Sequence, residues 1–146
     1  MLQIPVAKVA VLAATFAFDR PYTYKIPQPL AATLRPGCRV VVPFSRGNRP
    51  CEGMVLALGE AEDDPKFKPI TRQLDPEPIL SPELIRLAVW MHDRFFCTIY
   101  DALHVILPAG VWYRVSTVYC AAPELDTAAA LAQCGKSEQR RRALET

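Results

Sequence analysis

Apolar side chains dominate the start of the chain. Residues 4–13 are rich in β-branched and small apolar residues with Lys8 in the middle, which predicts a largely buried first strand. Tyr22-Thr23-Tyr24-Lys25-Ile26 is a short β-favouring run bracketed by Pro21 and Pro27, so a second strand with fixed ends is expected there. Arg35-Pro36-Gly37 supplies a turn, residues 38–44 predict a third strand, and a loop with Arg46, Gly47, Asn48, Arg49 and Pro50 leads to a fourth at residues 53–58. The acidic patch at residues 60–64 is expected to close this sheet. Residues 68–74 can form another strand before the proline-marked linker Asp75-Pro76-Glu77-Pro78.

The period then changes. Ser81, Pro82 and Glu83 make a helix start: a hydroxyl to accept orphan amides, a proline at the first helical position, and an acid near the positive helix end. Leu84, Leu87, Ala88, Met91 and Phe95 recur at helical spacing and predict an amphipathic helix. A shorter helix is expected at residues 100–107, stopping before Pro108, and one more strand at residues 111–120. Beyond Pro123 the alanine-rich stretch reads as a linker plus a lone helical piece around residues 137–144. The expected class is mainly β (α+β), a small partly open β-barrel-like domain of short strands with one or two helices. It occupies residues 1–110, with 111–146 as an appended linker and the start of a further, incomplete domain.

Composition adds boundaries to this picture. The chain has 146 residues, enough for one packed domain and an appendage. With 51% hydrophobic and 22% charged residues it has the make-up of a globular protein. Its 14 prolines favour short elements between rigid turns. The first residues lack a basic n-region and a small-residue cleavage site, so no signal peptide is expected, and no apolar run reaches the ~18 residues of a membrane span. Five cysteines at positions 38, 51, 97, 120 and 134 form no disulfide framework and no C-x-x-C pair. Free thiols in a reducing cytoplasm are the expectation.

A net charge of +2 does not identify a nucleic-acid binder; distribution has to. Between Arg20 and Cys51 stand six basic residues, Arg20, Lys25, Arg35, Arg39, Arg46 and Arg49, and no acid, with Tyr22 and Tyr24 among them. Positive charge for phosphates and rings for bases are what a nucleic-acid groove requires. A solvated basic face with half-buried strand tyrosines explains the composition equally well. Gly135-Lys136-Ser137 imitates the end of a phosphate-binding loop, but position 130 is alanine where that loop needs glycine, and no strand precedes it. Ser137 reads instead as a helix cap. His92 and His104 stand too far apart for a zinc pair, and no cysteine has a local base signature, so neither a metal nor a catalytic residue is expected.

One ordered series of residues is more specific. Asp19-Arg20-Pro21-Tyr22-Thr23-Tyr24-x-x-Pro27 is followed by Pro36-Gly37-Cys38-Arg39-Val40-x-Val42-Pro43-Phe44. Then come Lys68, Leu74-Asp75-x-Glu77-Pro78, the helix at residues 84–96, Cys97-Thr98, and Asp101-Ala102-Leu103 ending at Leu107-Pro108. The series resembles the start of the primosomal replication-restart helicases of the PriA family, and covers roughly residues 4–110 in consistent order. Fainter similarity over residues 111–144, including Ser137-Glu138-Gln139, looks like the lead into that family's winged-helix domain.

The resemblance implies a small β-rich domain that captures the 3′ end of the nascent leading strand at a stalled fork, sequence-independently, during primosome assembly. Its implied partners are forked DNA with a 3′-hydroxyl end and, through the full-length protein, single-stranded-DNA-binding protein and other primosome proteins. Its implied location is cytoplasmic, at the nucleoid, with no membrane. The family's ATP-dependent 3′-5′ helicase motor has no counterpart in these residues, so no enzyme and no cofactor are expected. Carried over by motif, the pocket residues are Tyr22, Thr23, Tyr24, Ser45 and Lys68, with the neighbouring Arg46 from the basic stretch. Thr23 stands where relatives often have aspartate, and Ser45 where they often have glycine. Threonine can bond a hydroxyl but cannot supply a charge-assisted bond. Tyr24 is expected as a core ring and Asp19 as a turn residue. Two other readings remain: a general single-stranded-DNA binder, and a protein-interaction module whose helix presents Trp90, Phe95 and Phe96 to a partner.

Overall fold

In the computed structural model the described residues are 3–108, 110–111 and 126–133. The chain divides into two units, Met1–Trp112 and Tyr113–Thr146. The first contains β1 (Gln3–Val11), a 3-10 turn (Phe16–Phe18), β2 (Tyr22–Lys25), a one-turn helix α1 (Gln28–Ala31), β3 (Arg39–Phe44), β4 (Arg49–Glu62), β5 (Arg72–Gln73), α2 (Pro82–Arg94) and α3 (Ile99–Ile106). In the second, the described element is α4 (Thr127–Gln133).

The strands form one antiparallel sheet in the order β2-β1-β4-β3-β5, so the class is mainly β with a few helices, and the sheet is not closed into a barrel. β1 is an inner strand: β4 pairs along its whole length, from Gln3↔Glu62 to Val11↔Gly53, and β2 covers only its middle, from Val6↔Lys25 to Val9↔Tyr22. A register shift between Lys8 and Val9 marks a bulge in the β1–β4 pairing.

Alternation along β1 divides the core in two. Ala7, Val9 and Val11 face one cluster with Tyr24, Val40, Val42, Val55, Leu34 and Ile70. Ala10 and Met54 face the other, where Ile85 and Ala88 of α2 pack with Ile99, Ala102 and Leu103 of α3. Arg39 is on that helix-bearing side, 3% exposed, and forks onto Asp75 with Nε–Oδ2 3.0 Å and Nη2–Oδ1 2.6 Å. Glu52 lies 3.7 Å from Arg39 Nη1 and accepts the Tyr100 hydroxyl at 2.9 Å, so a buried polar chain joins β3, β4, the segment after β5 and α3. Burial and the Glu52 carboxylate raise the Tyr100 hydroxyl well above its usual value. Gly37, at φ 92°, makes the turn into β3; a Cβ there would stand 2.2 Å from the Leu80 carbonyl oxygen.

Several expectations are corrected. The acidic patch does not end the sheet: β4 runs through Glu60 to Glu62 because the first half of β1 offers it a ladder. The strand expected at residues 68–74 contracts to Arg72–Gln73 plus a single parallel bridge at Lys25↔Pro69. On α2 the buried stripe is Ile85 and Ala88, whereas Leu84, Leu87 and Phe95 stay exposed. The one-turn helix after Pro27 was hidden by its prolines, which are tolerated in a first turn. Part of the alanine-rich stretch expected as linker is α4, started by Asp126, whose Oδ1 accepts from the Ala128 and Ala129 amides at 3.0 and 3.3 Å. Of the strand expected at 111–120 only Val111 is described, and the helix expected at 137–144 and the Gly135-Lys136-Ser137 string lie outside the described residues.

Candidate functional site

A cavity of about 920 Å3 opens where the sheet fails to close. Its origin is legible in the hydrogen bonds of β2. Tyr22, Tyr24 and Ile26 face β1 through their backbone groups, whereas Lys25 turns its amide to Lys68 O (2.9 Å) and its carbonyl to Ile70 N (3.0 Å) on the far side. Backbone direction alternates along a strand, so the Thr23 N–H and C=O, two residues earlier, point to the same far side, where no strand lies. On β3 the same holds in mirror fashion. Arg39 and Val41 accept from Leu74 and Thr71 at 2.9 Å each, which leaves Pro43 on the uncovered stretch of that edge. The absent amide of Pro43 therefore costs no β3–β4 bond. The seam between Thr23 and Pro43 is the cavity.

Four segments wall it. Tyr22, Thr23 and Tyr24 come from β2; Pro43 and Phe44 from the end of β3, continuing into Ser45, Arg46 and Asn48 of the hairpin; Lys66 and Lys68 from the segment before β5; and Thr15, Phe18 and Arg20 from the segment after β1. Tyr24 is a core ring, 4% exposed, whose hydroxyl reaches Pro43 O at 3.3 Å and so spans the seam. Burial, reinforced by Cys51 and Tyr22, pushes that hydroxyl up to about 12. Tyr22 is half-buried, packed edge-on against Phe44 with centroids 5.2 Å apart, with Arg20 over its ring at 5.6 Å and its hydroxyl donating to Phe18 O at 2.8 Å. The Thr23 hydroxyl accepts from Lys8 Nζ at 2.7 Å.

Ser45 has φ 62° and Asn48 φ 49°, which folds the hairpin loop over so that Lys68 Nζ donates to Ser45 O at 2.6 Å. Lys68 is thus tied to the pocket's rim, while the nearby acid Asp63 pairs with Lys25 instead. The lining holds four basic residues, Arg20, Arg46, Lys66 and Lys68, and no acid. None of the four is in an ion pair among the described residues.

All six residues expected at a site, Tyr22, Thr23, Tyr24, Ser45, Arg46 and Lys68, line this one cavity. The basic stretch that surrounded them in sequence does not stay together. Arg20 and Arg46 reach the cavity, Arg39 is buried against Asp75, Lys25 is paired with Asp63, and Arg35 bonds Leu34 O. The acids that neutralise this stretch come from later in the chain, which is why a window of sequence free of acids misrepresents its charge. Among the lining residues not expected at the site are Phe18, Arg20, Pro43, Phe44, Asn48 and Lys66; Pro43 and Phe44, which belong to the Val-Pro-Phe string, carried a signal, and Phe18 carried none. Asp19 is outside the cavity: its Oδ2 accepts from Ile99 N at 2.6 Å and faces His92 Nδ1 at 3.3 Å, holding the turn to the start of α3. Cys38, Cys51 and Cys97 are free thiols, each pushed up by burial and so kept protonated. Among the described residues no group of three or more His, Cys, Asp or Glu could hold a metal, and no helix is long and apolar enough to cross a membrane.

Fold and site together define a class: a small α+β domain that presents a cationic, aromatic-walled pocket on the open seam of its sheet. More particularly, the chain belongs to the family described as the 3'DNA-binding domain (3'BD), which matches residues 8–108 and so includes every residue of the pocket. Over 107 residues, 72% of this chain, it is 38% identical to the replication restart protein PriA of Bacillus subtilis (strain 168). The chain spans 13% of that relative's length.

Proposed function

We propose that the seam pocket captures the 3′-terminal nucleotide of the nascent leading strand at forked DNA, irrespective of sequence, and that the chain serves replication restart as the fork-reading part of a larger helicase in the bacterial cytoplasm. One observation carries the reading: an acid-free pocket with four basic side chains and the Tyr22 and Phe44 rings, built on a strand edge whose Thr23 amide and carbonyl are turned outward. A terminal nucleotide needs cations for its phosphate, a ring for its base, and a donor and acceptor for its sugar. A pocket at the end of a seam suits a strand end better than a continuous strand. The motor, and contacts with single-stranded-DNA-binding protein or other primosome proteins, would belong to the rest of such a protein.

The test compares a fork with an unpaired 3′ terminus against the same fork in which that strand continues into a closed hairpin loop. Terminus capture requires tighter binding to the open fork, and equal binding to both would overturn it in favour of a general single-strand binder. Lys68→Ala should weaken the open fork by about fivefold or more, as expected for a lost phosphate contact, with little change in Tm. A large fall in Tm would return Lys68 to a structural role.

A second reading has its own observation. Trp90 is 52% exposed, Phe95 56% and Phe96 97%, an unusual density of bare rings that a protein partner could cover. If that face serves a protein, Phe96→Ser leaves fork binding unchanged.

A further inference from the structure

We propose that the pocket also accepts a DNA strand ending in a 3′-phosphate monoester, so that the chain does not reject phosphorylated ends. This rests on the terminus-capture reading and sharpens it. To exclude a phosphate carrying about −1.5 to −2 charge, a site needs a fixed negative group near the strand end or a cavity too small for the added atoms. The seam pocket has neither.

No acid lines the pocket, and the carboxylates of the adjoining segments hold other groups. Asp63 is paired with Lys25, Asp64 Oδ1 accepts the Lys66 amide at 2.8 Å, and Asp19 accepts the Ile99 amide. At the middle of β2, the side chain next to the outward-facing backbone is Thr23, and what it binds is an ammonium: Lys8 Nζ at 2.7 Å. A phosphate placed there meets the Thr23 amide and its hydroxyl, both able to donate, with Lys8 behind the hydroxyl rather than in the lining. Lys68 spends one of its three donors on the neutral Ser45 carbonyl, which leaves its charge uncompensated beside those of Arg20, Arg46 and Lys66. The volume, about 920 Å3, lies at the upper end of the ~300–1,000 Å3 usual for small-ligand pockets, so size excludes nothing.

The experiment measures Kd of the full chain for three forks at physiological salt: an open 3′-hydroxyl end, an open 3′-phosphate end, and the hairpin-closed end. The expected result is that the two open forks bind within about threefold of one another, and both more tightly than the closed fork. Thr23→Asp, which places a carboxylate beside the terminus, should then favour hydroxyl over phosphate by on the order of tenfold or more. Lys66→Gln, at an exposed position of the lining, should weaken the phosphate fork more than the hydroxyl fork. Tenfold or weaker binding of the phosphate fork by the unmodified chain, with the hydroxyl fork still preferred to the closed one, overturns this inference and leaves terminus capture standing. If neither open fork is preferred to the closed one, terminus capture itself fails and the inference falls with it.

Discussion

Ser45 sits at φ 62°, a left-handed conformation in which a Cβ crowds the following carbonyl. The hairpin needs that conformation to bring the Ser45 carbonyl over Lys68, which explains physically why glycine would suit the position. Ser45→Gly should therefore stabilise the fold by about 0.5–1 kcal/mol after the extra entropy of glycine in the unfolded chain is deducted, raising Tm by a few degrees in a thermal melt. Tyr24 makes a different prediction. Its folded pKa, about 12, lies above the ordinary tyrosine value of 10.0, so the buried neutral ring contributes stability that is fully present below pH 10 and lost as pH rises towards 12. Between those limits the stability of Tyr24→Phe should gain on the unmodified chain by about 2–3 kcal/mol, as measured by urea unfolding across that range. At neutral pH the same substitution should cost about 1 kcal/mol, for the lost bond to Pro43.

The helices show capping at work one level up. Thr98 opens α3 with a reciprocal box: its hydroxyl accepts from the Asp101 amide at 3.0 Å, and the Asp101 carboxylate accepts from the Thr98 amide at 3.0 Å and the hydroxyl at 2.7 Å. Those bonds hold the Asp101 carboxyl below the usual range. Thr98→Ala should cost about 1 kcal/mol, read from chemical denaturation, without affecting fork binding. This cap was not singled out from sequence, whereas the Ser81 cap of α2 was, and its hydroxyl does accept the Leu84 amide, at 3.4 Å. Helical spacing located α2 and two residues of its buried face, Ala88 and Met91, but missed Ile85. Leu84, Leu87, Ala88 and Met91 form as regular a stripe as Ile85 and Ala88, and packing against α3 and the shared core decides which turns inward.

At the scale of the whole unit, the Asp75–Arg39–Glu52–Tyr100 chain ties the sheet to its helices through charges that water scarcely reaches. Removing Asp75 takes away the bidentate carboxylate and leaves the buried guanidinium with only the more distant Glu52 as counter-charge, so Asp75→Ala should destabilise by about 3 kcal/mol, with calorimetry as the check. The Asp75 carboxylate lifts the Arg39 guanidinium further above its already high value, so the charge on Arg39 persists throughout the accessible pH range.

The chain's own order of residues determined the strands near residues 4, 22 and 38 and the two principal helices, because alternation, helical period and caps are local properties; the six side chains that share one cavity were named only through the motif resemblance. Tertiary structure decided what local signals could not carry. Ladder partners from residues 3–8 extended β4 through an acidic stretch, and Asp63, Asp75 and Glu52 neutralised a basic run that looked uniform in sequence. Above all, the pocket exists because the segment before β5 meets β2 only at Lys25 and β3 only up to Val41, leaving Thr23 and Pro43 facing an open seam. Where a sheet stops closing depends on how far one strand reaches along two others, and that length is set by packing between distant segments.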